Sequence, residues 1–336
     1  MDTYIELNRK FYPIKDNEKD LEEAKVMAAF GYDKYISWEE LLQKPRVVIL
    51  AEPGTGKTEE LKAVTNRLRS KGVAAFFCRI ELLEKLDILQ ALDIGTSEEF
   101  NDWLNGDQEG YFFLDSVDEA HLKGRSTYEI ALRRFAEKTS EHLERIKVFI
   151  TCRVSDWRTT TDLQQFQKLL PLPQPTNLLK ENESKEGIRV KRDDESGKDN
   201  DKDDIIFQLL PLNDHQIEHF AKEKGIKNIK AFMEAIEREN ATMFAERPQD
   251  LLDLIEYWNS KGCFGRYAEM VEFNIRQKLK ENDSDRDIWR PLSLEEALIG
   301  AERLAATITL QKKNIIILPD KYVDFVRREA SIDSKE

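Results

Sequence analysis

RVVILAEPGTGKT, residues 46–58, is the stretch on which the fold turns. RVVIL is short, continuous and β-branched, the pattern of a strand buried on both faces. The residues after it open a helix over about 57–70, with Leu61, Val64 and Leu68 at helical spacing. A strand, a glycine loop and a helix N-terminus in that order form a phosphate cradle. The pattern G-x-x-x-x-G-K-[ST] is met with Ala51 in place of the first glycine, a position that closes the strand and does not touch phosphate directly. Gly54 and Gly56 let the backbone turn its N–H groups inward on an anion. Lys57 is expected to reach the β- and γ-phosphates and to stabilise charge on the transferring group. Thr58 is expected to place its hydroxyl on Mg2+. Glu52, Pro53, Gly54, Thr55, Gly56, Lys57, Thr58 and Glu59 are therefore the expected nucleotide-binding residues. A chance match is the alternative, and the flanking strand and helix weigh against it.

Further buried strands are expected at VAAFFCRI (73–80), Gly110–Asp115, KVFITC (147–152) and IIFQLLPL (205–212), with helices near 81–92, 97–105 and 126–145 between them. Apolar strands alternating with helices predict an α/β P-loop NTPase fold. Its three layers hold a parallel five-stranded sheet covered on both faces, and a helical domain follows. The helical stretches there are 214–224, 227–239, 248–260, 264–281 and 293–312, with Asn213–Asp214 as a cap for the first. The expected organisation is an N-terminal segment over 1–45, with a short helix at SWEELL (37–42), and a core over 46–178. A charged linker or loop covers 179–204, and the last core strand with a helical lid occupies 205–336. Within that linker, residues 181–204 hold ten acids, six bases and two aliphatics, Ile188 and Val190. Such a segment cannot bury enough apolar area to offset its ordering entropy, so a disordered loop is expected, with an acidic docking tail as the alternative.

FFLDSVDEAH (112–121) poses the question of the metal-side acid. The apolar run ends at Asp115, where a carboxylate can orient Mg2+. Were Asp118 the ligand instead, the strand would have to bury Asp115 without a partner, at high cost. Asp115 is thus expected at the metal with Thr58, and Asp118 and Glu119 just beyond. One of these two can orient or deprotonate an attacking water; a solvated turn or a helix cap is the plainer reading. His121 is expected to be structural or solvent-facing. ITCR places Thr151 and Arg153 at a strand's carboxyl end, where ligands of open α/β sheets sit. Arg153 can read the γ-phosphate, pair with the neighbouring acids, or simply close the strand.

The net charge of −13 and pI near 5.1 weaken any case for nonspecific nucleic-acid binding, which needs a basic surface. Nucleic acid is therefore not indicated as a partner. Cys78, Cys152 and Cys263 are odd in number and lack CxxC spacing, which argues against a disulfide framework or zinc site and for a reducing cytoplasm. The N-terminus does not read as a signal peptide, and the longest apolar runs are too short to span a bilayer, so no membrane association is expected.

AEPGTGKT, YFFLDSVDEA and VFITCR, in that order, resemble the NACHT group of STAND-class NTPases, relatives of the AAA+ ATPases. Asp115, Ser116, Asp118 and Glu119 match the group's strand-end acid, small residue and acidic pair. Thr151-Cys152-Arg153 is similar to its Thr-x-Arg strand end. ERPQDLLDL looks like its proline-bearing segment near the adenine pocket, with Pro248 in that place. The resemblance implies a switch that holds ADP when closed, exchanges it for ATP, and then forms homo-oligomers or engages a protein partner. It implies ATP over GTP as the nucleotide, with bacterial signalling or phage defence as the setting. Effector and repeat-sensor domains are not recognisable, so a truncated member, or one completed by a partner, is expected. Two other functions stay open: a DNA-stimulated AAA+ or helicase-like motor, and a nonhydrolytic nucleotide-binding scaffold.

Overall fold

The computed structural model describes residues 4–14, 35–123, 126–172, 205–281, 293–311, 315–317 and 331–333. The charged stretch 181–204 lies outside them. The chain divides into two compact units, Met1–Pro211 and Leu212–Glu336.

The first unit is built on one seven-stranded sheet. Its strands are β1 (Phe11–Pro13), β2 (Arg46–Leu50), β3 (Ala74–Arg79), β4 (Leu92–Ile94), β5 (Gly110–Asp115), β6 (Ile146–Cys152) and β7 (Ile206–Leu209). They lie in the order β1-β7-β2-β6-β5-β3-β4. The five inner strands are parallel, as the apolar runs predict, and β6 stands between β2 and β5. Two edge strands were not expected. β1 pairs antiparallel with β7, and β4 antiparallel with β3. Each is three residues long, too short for alternation to register as a period. The helix expected over 81–92 is accordingly divided into a 3-10 turn at Ile80–Glu84, a short helix at Ile88–Ala91 and β4. The helix Thr159–Leu169 was also unexpected.

The apolar strands read as continuous because alternate residues serve opposite faces. Val48, Leu50, Phe76, Phe112, Leu114, Val148 and Ile150 pack with Phe100, Trp103, Leu132, Phe135 and Phe166 from the helices Ser97–Asn105, Thr127–Thr139 and Thr159–Leu169. Val47, Ile49, Ala75, Phe77, Phe113 and Phe149 pack on the other side with Leu61 and Val64 of the helix Lys57–Ser70. Trp38 and Leu41 join that second cluster from the short helix Trp38–Leu41, which the sequence placed at 37–42. Of the described residues before β2, Phe11 and Trp38 belong to this cluster and meet edge to face.

Leu212–Glu336 is helical for most of its described length. Asn213 caps the helix Asp214–Glu223 in a reciprocal box with Gln216, as expected from Asn213–Asp214. Trp258 meets Phe232 and Phe264 edge to face, and the two phenylalanines are tilted against each other, which joins the helices Ile229–Arg238 and Pro248–Lys261. Among the described residues no helix is long and apolar enough to cross a membrane.

At the end of the sheet opposite the carboxyl ends of the strands, Arg46 is 2% exposed. Its guanidinium donates to the carbonyls of Leu170, Pro45, Ile146, Leu143 and Pro171 at 2.6–3.1 Å. Burial pushes the group down to about 10, which is the cost of keeping a cation there. Five carbonyls from three chain segments would lose this donor together if it were removed, and among the described residues that of Pro45 keeps another, the Val148 N–H. Arg46→Met should therefore lower stability by about 3 kcal/mol, read from urea unfolding midpoints at constant m-value. A loss below about 0.5 kcal/mol would contradict the assignment of this arginine as a staple.

Candidate nucleotide-binding site

The parallel sheet gathers the carboxyl ends of β2, β6 and β5 side by side, with Leu50 opposite Cys152 and Leu114 opposite Ile150. The residues singled out in the sequence emerge from these ends. Ala51 to Gly56 turn out of β2 and enter the helix Lys57–Ser70. Gly54 and Gly56 have φ of 76° and 85°, the left-handed region that the cradle requires and that glycine adopts without strain. Thr55, between them, is buried and closes the loop by donating its hydroxyl to the Glu52 carbonyl at 2.7 Å. Pro53 and Gly54 are exposed. Glu59 is exposed on the first helical turn, 3.6 Å from Lys62.

Lys57 lies back along the loop and donates to the Ala51 carbonyl at 2.9 Å. Burial pushes its ammonium down from the ordinary lysine value, and Asp118 and Asp115 pull it back up. Thr58 donates its hydroxyl to Asp115 Oδ2 at 2.6 Å. Thr151, from β6, donates its own hydroxyl to Asp115 Oδ1. The same Thr151 oxygen accepts the N–H of Ser116 at 3.0 Å. Ser116 has φ of 66°, unusual outside glycine, so the bond that holds its N–H also holds a strained turn. Asp115 is thus gripped at both oxygens by hydroxyls from two other elements. A hydroxyl and a carboxylate oxygen in contact suit a hard cation such as Mg2+ that takes its remaining ligands from water and phosphate. No cluster of three or more acids, histidines or cysteines placed to hold a metal occurs among the described residues.

Asp118 does not stand in a solvated turn. It belongs to the helix Val117–Lys123 and is 4% exposed. Its Oδ2 lies 2.7 Å from Arg153 Nε, so Arg153 pairs with one of the acids, one of the arrangements open to it. Oδ1 of Asp118 has no hydrogen-bond partner among the described residues, an expensive state for a buried carboxylate oxygen. Glu119 follows on the same helix. His121 is buried, not solvent-facing. Its Nε2 lies 3.4 Å from Asp162, which also accepts the Arg158 N–H, so the helix carrying Asp118 is tied to the start of the helix Thr159–Leu169. Pro248 lies in the second unit, where it opens the helix Pro248–Lys261. Cys78 and Cys152 are buried, and burial pushes both thiols up, away from reactivity.

Two residues at the site escaped the sequence reading. Thr151 was placed at the strand end but given no partner; the hydroxyl ending an otherwise apolar run was its signal. Arg9 is 1% exposed and donates to the Thr55 carbonyl at 2.9 Å and the Leu210 carbonyl at 2.6 Å. Nothing in its sequence neighbourhood marks it.

No known protein family and no curated protein matches the sequence. Among solved structures, the chain is similar to AMPPCP-bound DnaA from Aquifex aeolicus. The identity is 17% over 88% of this chain and 81% of that one, with a TM-score of 0.40. It is similar also to the replication initiator DnaA bound to AMPPCP and single-stranded DNA, at 16% identity over 80% and 72% and a TM-score of 0.37. ORC2 from Aeropyrum pernix, in ADPNP–ADP complexes, follows at 12% identity over 90% and 77%, with a TM-score of 0.35.

Thr151→Val keeps the shape of the side chain and removes the hydroxyl shared by Asp115 and Ser116. It should cost about 1–2 kcal/mol of stability, while Thr151→Ser should keep most of it. Equal unfolding midpoints for the valine variant and wild type would show that the bond to Asp115 contributes nothing.

Proposed function

We propose that this chain is an ATP- and Mg2+-dependent P-loop ATPase of the AAA+ kind, with slow turnover. The observation that carries it is the contact between Thr58 and Asp115, which joins the phosphate loop to the acidic strand end at 2.6 Å. The loop supplies backbone N–H groups and the positive end of the helix Lys57–Ser70 to the phosphates. Lys57, on leaving the Ala51 carbonyl, brings its ammonium to the β- and γ-phosphate oxygens. Thr58 and Asp115 hold magnesium, which when bound neutralises charge on the phosphates. Asp118 is placed to orient water, since it is buried, has one oxygen without a partner, and is steered by Arg153. Glu119 is the other candidate. Arg153, 40% exposed at its side chain, can turn from Asp118 to the γ-phosphate.

Within that class, two finer readings divide on the partner. The order of Asp115, Ser116, Asp118, Glu119 and the Thr151–Arg153 strand end favours a NACHT/STAND-type switch that assembles with itself or a protein partner when ATP is bound. The second reading is a DNA-coupled AAA+ ATPase. One of the similar solved structures has single-stranded DNA bound, which is reason to include DNA in the assay and nothing more.

The test is ATP turnover by the purified full chain with Mg2+, with and without single-stranded DNA, beside Lys57→Ala and Asp115→Ala. Lys57→Ala should weaken ATP binding by roughly 100-fold or more, and Asp115→Ala should abolish turnover while retaining some binding. Near-wild-type binding by Lys57→Ala would sink the P-loop assignment. Turnover indifferent to DNA, with mass increasing on ATP, selects the switch. A rise of roughly tenfold or more with DNA selects the DNA-coupled reading.

A further inference from the structure

Arg9 comes from the N-terminal segment, 46 residues before the loop carbonyl it binds. It is 1% exposed, and burial pushes its guanidinium down while Glu60 and Tyr4 oppose that shift. A buried cation is expensive, and a purely packing role would be served as well by an apolar side chain. The obvious partner is Glu60, yet the approach of Arg9 Nη1 to Glu60 Oε1 is 3.9 Å. The short bonds go elsewhere, to Thr55 O at 2.9 Å and Leu210 O at 2.6 Å. Glu60 is itself held by Trp38 Nε1 at 3.1 Å and by the Tyr4 hydroxyl. Arg9 Nε has no hydrogen-bond partner among the described residues. The fork is therefore aimed at two backbone carbonyls.

The choice of Thr55 has a consequence. In a planar trans peptide the C=O and the following N–H point in opposite directions. A Thr55 carbonyl drawn toward Arg9 turns the Gly56 N–H to the other side. Gly54 and Gly56, both at positive φ, flank Thr55, so the backbone here tolerates more than one peptide orientation. The Thr55 side chain does not choose between them, because its hydroxyl is bonded to Glu52 O. The guanidinium does. Its other arm rests on Leu210, whose N–H is bonded in turn to the Lys10 carbonyl, so the anchor is the end of the sheet and not a free loop.

We propose that Arg9 is a positioning residue for phosphate binding: by holding the Thr55 carbonyl it keeps the Gly56 N–H turned toward the anion. This rests on reading residues 51–58 as a phosphate cradle, and it adds a component from outside the loop and its helix. The preorganisation is made before ligand arrives, so it acts on affinity and not on the chemical step.

The experiment compares Arg9→Met and Arg9→Lys with wild type and Lys57→Ala in the full chain. Binding of ATP and of inorganic tripolyphosphate is measured by calorimetry, alongside ATPase kinetics. The lysine variant keeps the charge if the methionine variant does not fold, but a point ammonium cannot serve both carbonyls as a fork does. Both variants should weaken ATP and tripolyphosphate by the same factor, roughly tenfold or more. KM should rise while kcat at saturation stays within about threefold of wild type. A variant that folds cooperatively and binds both ligands within about twofold of wild type overturns the proposal, as does a fall in kcat at unchanged KM, the mark of a reduced folded fraction. Lys57→Ala losing binding while the Arg9 variants keep it would sink the role of Arg9 and leave the cradle standing. Wild type binding neither ligand would remove both.

Discussion

Asp115 is the point on which the site depends. It is a buried carboxylate at the end of an apolar strand, tolerable only because both oxygens accept hydroxyl hydrogens. The two donors come from different places: Thr58 from the first turn after the phosphate loop, Thr151 from the neighbouring strand. Each bond therefore fixes the spacing of two elements. Thr151 also takes the Ser116 N–H, so the chain leaves β5 in a left-handed turn and starts the helix that bears Asp118. Position of the loop, direction of the strand exit and burial of the second acid all follow from one carboxylate being satisfied.

The sheet that delivers these groups was legible in the sequence where strands were long and buried on both faces. RVVIL, YFFLD and KVFITC carry no polar residue on either face except where function or an end of the sheet requires one. Arg46 and Lys147 are those exceptions at one end, and Asp115 and Thr151 at the other. The edges were illegible for the converse reason. Phe11–Pro13 and Leu92–Ile94 have one neighbouring strand and three residues each, so little apolar patterning is needed to keep them in place. Arg9 could not be read at all. Its partners are carbonyls 46 and 201 residues away, and a backbone carbonyl leaves no trace in the identity of the residue that bears it.

Among the described residues, the two most deeply buried arginines share a logic. Neither Arg9 nor Arg46 is spent mainly on a carboxylate, although the chain has 65 acids to 52 bases. Both use the guanidinium fork on several carbonyls at once, which one lysine could not do. Such a bond set locks backbone direction mostly at segment ends and loops, such as Pro45, Thr55, Leu143, Leu170 and Leu210, where no ladder does so. Arg46 works at the entry to the sheet, and Arg9 at the loop beyond its exit.

The polar groups of the site are already engaged with each other. Lys57 is on the Ala51 carbonyl, Thr58 on Asp115, and Arg153 on Asp118. An anion entering the loop would exchange these bonds for new ones and would not find bare charges waiting. The net gain of each exchange is then a difference between two hydrogen bonds, small against either one alone. Groups that need not move, the backbone N–H groups and the helix N-terminus behind them, add to affinity without such an exchange. On the proposed function, Lys57 and Arg153 would leave the Ala51 carbonyl and Asp118 for the phosphates. On that function, the cradle and Lys57 would hold the phosphates in the ground state, and Lys57 and Arg153 would also meet the charge that develops in the transition state.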